Sequence, residues 1–417
     1  MKDRLVFKTT KLKNGIRIFS KHIDLPFATI WLYVPVGHIH NTGEVLPGTA
    51  HMLEHIAFGR SRLYPEKDRF QKIVELAGGS FNASTCSLHT RYELSVRSDM
   101  FNRAFKGLMS HVFEPLITAK DIADEAGIII NESKMYNKWF PGEDRLGNYF
   151  QTKWRDTLGF TLRQRVGKRE DLTKMSVTKL SGLHEAYFDP RTYLVIGGKF
   201  DQRTVIKELG RIKTKKHHLS TKIKQITWVN KKYHEKKFDT IKRYLYYMGG
   251  IVSTTDVQTN IAISFIGELL ANSTQGVLFE WLRKELGWCY DIDFDNSWDT
   301  NPTIYNTWEI CLPLSSKKQV AHVRKEIHER ILRAISDKAL VVREVEREKS
   351  SRTFSFETLS SMMRMAAFTL GPHGGKVYTE ADYLRFFEKC KDTAYLKRIY
   401  DKYWSPKVTG EFLAMPK

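Results

Sequence analysis

Gly48-Thr49-Ala50-His51-Met52-Leu53-Glu54-His55-Ile56-Ala57-Phe58-Gly59 is the stretch around which the rest of this 417-residue chain can be ordered. It reads as a helix beginning near Gly48. Residues four apart on a helix share one face, so His51 and His55 can aim ring nitrogens at one metal ion. Glu54 lies one turn from His51, near enough to face a water that such a metal polarises. The order is H-x-x-E-H, the inverse of the commoner H-E-x-x-H. Chance produces such a pentapeptide in roughly one chain in a hundred of this size, so the remaining sequence must supply a third ligand and a fitting fold.

A catalytic zinc usually takes three protein ligands and a water. The four cysteines, Cys86, Cys289, Cys311 and Cys390, are scattered and form no C-x-x-C pair. That excludes a cysteine-based zinc site and suits free thiols in a reducing compartment, so a cytoplasmic location is expected. An acidic ligand must therefore come from elsewhere. The helical pattern over 119–136 carries Glu125 and Glu132, seven apart and on nearly the same face. Between His55 and Glu132 stand 76 residues.

The surrounding pattern predicts an α+β fold. Leu12 to Ile18 holds an Asn14-Gly15 hairpin turn, Phe27 to Val36 is an apolar strand, and Phe70 to Leu76 is a helix stopped by Gly78-Gly79. Tyr92 to Val96 alternates as a strand, Phe101 to Val112 is helical, and Leu194 to Gly198 is a buried strand. The same grammar returns later. Tyr244–Met248 and Ile304–Leu312 read as strands, and 260–270, 276–286, 320–335 and 341–358 as helices. The chain closes on the strand Gly410–Ala414. Two related domains are expected, each an antiparallel β-sheet packed with helices. Their expected bounds are 1–210 for the metal-binding half, 211–235 for a basic linker and 236–417 for the second half.

Hydrophobic residues at 41% and charged residues at 27% are ordinary for a globular chain. No apolar run approaches the roughly 20 residues needed to span a bilayer, so no membrane partner is expected. From the charged start Met1 to Lys8, neither a secretory signal nor an arginine-rich presequence is expected. The net charge of +20 is uneven: Arg203 to Arg243 holds 14 Lys or Arg against Glu208, Glu235 and Asp239. A solvated linker accounts for this, and a field that gathers acidic peptides is the functional alternative. Nucleic acid is disfavoured, because no binding motif accompanies the charge and the aromatics Trp228, Tyr233, Tyr244, Tyr246 and Tyr247 sit at strand-like spacing.

Taken together, the H-x-x-E-H string, the distal glutamate and the context Gly48–Gly59 resemble the pitrilysin/insulinase family of zinc peptidases. The resemblance implies one Zn2+ per chain, held by His51, His55 and Glu132. It implies that Glu54 is the base and that Glu125 orients a ligand histidine. Gly79-Ser80-Phe81-Asn82-Ala83-Ser84-Thr85 is similar to the family's edge-strand segment, where Asn82 and Ala83 would contact an extended substrate. Thr90 and Tyr92 fit as well, whereas Leu88 stands where the family often has an acid.

Leu282-Arg283-Lys284-Glu285-Leu286-Gly287-Trp288-Cys289-Tyr290 resembles the segment whose arginine and tyrosine reach back towards the zinc. Arg283 would hold a substrate carbonyl or carboxylate, and Tyr290 would donate to the oxyanion. Lys284 replaces the usual Glu there, and Trp288-Cys289 the usual Leu-Ala. The chain resembles the half-length members, so it is expected to form half of a clamshell chamber for unfolded peptides. A homodimer is favoured because both site parts lie in one chain; a heterodimer with a related subunit is the alternative.

Overall fold

The computed structural model describes residues 5–41, 45–86, 88–139, 155–156, 165–216, 227–228, 233–239, 241–252, 256–271, 275–296, 306–355, 357–370 and 376–417. Most of the expected basic linker, 217–226 and 229–232, lies outside them.

Phe27-Ala-Thr-Ile-Trp-Leu-Tyr-Val forms β3 (Phe27–Val34), and almost every residue in it is buried. The reason is that both faces of its sheet are covered. Ala28, Ile30, Leu32 and Val34 enter one core, with the helices of the first half. Trp31 and Tyr33 point the other way and join Phe19, Tyr193 and Val195 in a second core, built mostly from residues beyond 245. β1 (Lys8–Lys11), β2 (Arg17–His22), β4 (Ser80–Thr85), β5 (Thr90–Arg97) and β6 (Tyr193–Gly198) complete a six-stranded sheet in the order β1-β2-β6-β3-β5-β4. Its helices are α1 (Thr49–Gly59), α2 (Arg69–Leu76), α3 (Phe101–Phe113), α4 (Ala119–Trp139), α5 (Val177–His184) and α6 (Gln202–Gly210).

The second sheet contains β7 (His234–Phe238), β8 (Tyr244–Val252), β9 (Asp293–Asn296), β10 (Asn306–Leu314) and β11 (Gly410–Pro416), in the order β9-β10-β8-β11-β7. This repeats β4-β5-β3-β6-β2 of the first sheet strand for strand. The pairing directions repeat too. Antiparallel pairs predominate, as expected, but each sheet carries one parallel pair, β2 with β6 and β7 with β11. Strand β7 begins at His234, inside the stretch expected to be linker.

Helices α7 (Val257–Ala271), α8 (Lys317–Ser336), α9 (Lys338–Ser355), α10 (Leu359–Leu370), α11 (Glu380–Lys389) and α12 (Thr393–Tyr403) belong to the second half. Of these, α10 lies on β6 of the first sheet, with Leu359 and Met363 against Gly197. The segment 276–286 is helical as expected, but Glu280–Glu285 is wound as a π-turn. Among the described residues no helix is long and apolar enough to cross a membrane.

Candidate metal centre and active site

Helix α1 starts where Gly48 adopts φ +82°, a conformation glycine takes without cost. A side chain there would also strike the Val166 carbonyl. Asn41 Oδ1 accepts from the Ala50 N–H at 3.0 Å, which satisfies one of the orphan donors of the first turn. Thr49, Ala50, Met52, Leu53, Ile56 and Ala57 turn inward and are buried. That fixes the opposite stripe, with His51 and His55 one turn apart and their ring centroids separated by 4.7 Å.

Helix α4 brings its glutamates to this stripe. Glu132 Oε2 is 3.8 Å from His51 Nε2 and 3.5 Å from His55 Nε2. Glu125 Oε2 is 3.1 Å from His55 Nδ1, and Lys67 Nζ donates to Glu125 Oε1 at 2.9 Å. One turn nearer the start of α4, Asp121 and Thr118 accept from the guanidinium of Arg60, the residue after α1. The two helices are thus joined by successive rungs, Arg60 to Asp121, His55 to Glu125, and both histidines to Glu132.

The cluster suits a cation. One donor atom each from His51, His55 and Glu132 lies within 4.8 Å of the others. Zinc bonds of about 2.1 Å in tetrahedral array place ligand atoms about 3.4 Å apart, close to the observed separations. Glu132 Oε2 is buried and makes no hydrogen bond, although two imidazole nitrogens face it. A buried carboxylate oxygen left in that state is costly unless a cation completes it.

The electrostatics follow from the packing. Burial, helped by repulsion from His55, holds the His51 imidazole down at about 4. Burial also acts to lower His55, but its bond to Glu125 and the nearby carboxylates of Glu132 and Glu54 win and raise it to about 9. Metal binding near neutral pH must therefore displace a proton from His55. The His55 imidazole, 3.5 Å from its Oε2, is the main influence that holds Glu132 low. Burial opposes ionisation of Glu125, yet His55 and Lys67 together hold it below the usual carboxylate range.

Glu54 behaves in the opposite sense. Burial raises its pKa against the pull of Thr85 and His55. The Thr85 hydroxyl, at the end of β4, donates to Glu54 Oε2 at 2.5 Å and fixes the carboxylate. Thr85, Lys67 and Arg60 are site residues that sequence reasoning assigned no role, because each comes from a loop or strand outside the helical pattern.

Asn82 and Ala83 stand on β4, the sheet edge, paired on one side to Glu93 and Tyr92 of β5. Asn82 is exposed and Ala83 half-buried. Thr90 donates to the Val36 carbonyl at 2.8 Å, the Tyr92 and Tyr187 hydroxyls meet at 3.1 Å, and Leu88 is buried. Arg283 and Tyr290 meet each other. The guanidinium lies 4.3 Å above the Tyr290 ring, and Nη1 donates to the Tyr290 carbonyl at 2.8 Å. Tyr290 is 72% exposed. Among the described residues no hydrogen bond, ion pair or ring contact joins this pair to the metal cluster. All four cysteines are free thiols.

The chain is similar in sequence and in fold to known peptidases. Residues 17–162 match the family model Insulinase (Peptidase family M16), and residues 174–351 match Peptidase M16 inactive domain. Over 135 residues, 32% of its length, the chain is 30% identical to Protease 3 of Escherichia coli strain K12, a stretch that covers only 14% of that protein. The fold superimposes on the crystal structure of a protease from Helicobacter pylori with a TM-score of 0.77, 16% identity and 99% coverage of both chains. On pitrilysin the TM-score is 0.69 with 19% identity, covering 99% of this chain and 45% of the other.

Proposed function

This chain belongs to the insulinase family of peptidases (peptidase family M16), and on that premise we propose that it is a zinc metalloendopeptidase acting on unfolded peptides. The observation that carries the reading is the buried, unbonded Glu132 Oε2 beside His51 and His55, with Glu54 on the same helix. Zinc held by His51, His55 and Glu132 would supply Lewis acidity towards water and the scissile carbonyl.

The chain's own residues do the rest. Glu54, raised by burial and held by Thr85, takes a proton from the attacking water and passes it to the leaving amine. Glu125 keeps His55 oriented. The open edge of β4 at Asn82 and Ala83 takes an extended peptide as an added strand. Arg283 and Tyr290 hold the substrate carbonyl and the developing oxyanion. Because they engage each other rather than this cluster, they act across a chamber formed with a second subunit, a homodimer in the simplest case. Leader sequences and other unstructured segments are the substrates this reading favours, with acidic peptides gathered by the basic stretch 203–243.

The test is Glu54→Gln. Zinc stoichiometry should stay at one per chain while kcat on a quenched peptide library falls by about a thousandfold, within the range for general acid–base groups. Cleavage that persists in this variant rules out Glu54 as the base. A second reading, a non-hydrolysing partner subunit, draws on the Arg283–Tyr290 pair, which among the described residues makes no contact with the metal cluster. Bound zinc without hydrolysis of any peptide would favour it.

A further inference from the structure

Lys67 stands in the turn between α1 and α2, and the backbone there is built to hold it. Among the described residues Asp68 is the one non-glycine position in the left-handed region, at φ 59°. Side chains adopt that region at a cost, and such outliers gather where a site needs a fixed direction. The strained turn is tied to the metal helix itself. The Asp68 N–H donates to the carbonyl of Gly59, the last residue of α1, at 3.0 Å, and the Asp68 carbonyl accepts from Lys72 at 3.0 Å to start α2. The backbone beside Lys67 therefore keeps a fixed offset from His55.

The Lys67 side chain then reaches Glu125. Both oxygens of that carboxylate are committed, Oε1 to Lys67 Nζ at 2.9 Å and Oε2 to His55 Nδ1 at 3.1 Å. Glu125 is buried, and Lys67, 41% exposed at its side chain, is the cation it pairs with besides His55. A surface ion pair is ordinarily worth little, but here one partner is buried and its second oxygen aims a metal ligand. Without Lys67 the carboxylate can turn about its last torsion and release the imidazole.

We propose that Lys67 is a positioning residue of the metal centre, which clamps Glu125 Oε1 so that Oε2 stays on His55 Nδ1 and His55 Nε2 faces the metal. The proposal rests on the reading of His51, His55 and Glu132 as a zinc site. It is tested on the full chain by zinc competition against a chromogenic chelator and by the rate of zinc loss into excess chelator. Lys67→Met should weaken zinc binding by about tenfold, the low end of the range for outer partners of metal ligands, and speed its loss. Lys67→Arg should restore both to within about twofold, because it keeps the charge-assisted bond. In a Glu125→Gln background Lys67→Met should add nothing, which a general loss of stability would not reproduce.

Wild-type zinc affinity and release rate in Lys67→Met overturn the proposal and leave the zinc site standing. An equal loss in the Glu125→Gln background also overturns it. Failure of the wild-type chain to bind zinc overturns the site reading and this inference together.

Discussion

Helices α1 and α7 hold the same place in the two halves, each following the central strand of its sheet, yet they spend their faces differently. Helix α1 buries one stripe and presents His51, Glu54 and His55 on the other. Helix α7 is apolar nearly all round, with Ile261, Ala262, Ile263, Phe265, Ile266, Leu269 and Leu270 buried. Two of its polar side chains go into hydrogen bonds within the second half: Asn260 donates to the Asp256 carbonyl at 2.9 Å, and Ser264 accepts from Asn296 at 2.6 Å.

The paired helices differ in the same way. On α4 the glutamates face histidines, whereas on α9 Glu344 and Glu348 are both paired with Arg347. One scaffold therefore serves once as the frame of a histidine–carboxylate cluster and once as a packed core. The chemistry is a matter of side chains grafted on it.

The largest expected effect breaks the comparison at its centre. Glu132→Gln should lower zinc affinity by more than about a hundredfold, since a three-ligand site loses its anionic member. Equilibrium dialysis checks this, and retained stoichiometric zinc would mean that the ligand set is misassigned.

A second contrast lies in the buried histidines. In the first half burial holds His38 and His89 at about 3 and His51 and His111 at about 4; in the second half only His328, at about 4, is similarly placed among the described residues. These groups are neutral in the folded chain and protonate near 6.5 once unfolded, so stability is full above pH 6.5 and falls as pH drops towards 4. Among the described residues the first half holds more of these groups than the second, so it loses more stability as pH falls through that window. His55 of the metal-free chain has the opposite sign, with stability present below 6.5 and lost as pH rises through about 9. Hydrogen exchange on the metal-free chain at pH 5 should show the first half opening before the second, and the reverse order would contradict this account.

The smallest effect sharpens the comparison from the other side. A Cβ on Gly267 of α7 would strike the ring of Phe294 on β9. Gly267→Ala should cost about 1–3 kcal/mol by overpacking, seen as a lower denaturant midpoint, and leave zinc affinity unchanged. A zinc loss in this variant would show that the two halves are coupled at the site.

Much of this was legible in the sequence because it is local. Helical period alone puts His51, Glu54 and His55 together, and seven residues alone put Glu125 and Glu132 on one face. Alternation marked most of the strands. The helices at 359–370, 380–389 and 393–403 were not read from the pattern. The parallel pairs of β2 with β6 and of β7 with β11 escaped it as well. Their partners lie far along the chain, and periodicity reveals a face but not what covers it.

The same division holds at the candidate metal centre. The amino-acid order by itself determined which residues share the histidine-bearing stripe of α1 and which glutamates share a stripe of α4. Only the tertiary structure decided that Glu132 meets both histidines, that Thr85 holds Glu54 and that Lys67 holds Glu125. Those contacts join groups 31 to 81 residues apart, where no local spacing rule acts, and they form because α1 packs against both α4 and β4 and so brings these polar atoms together.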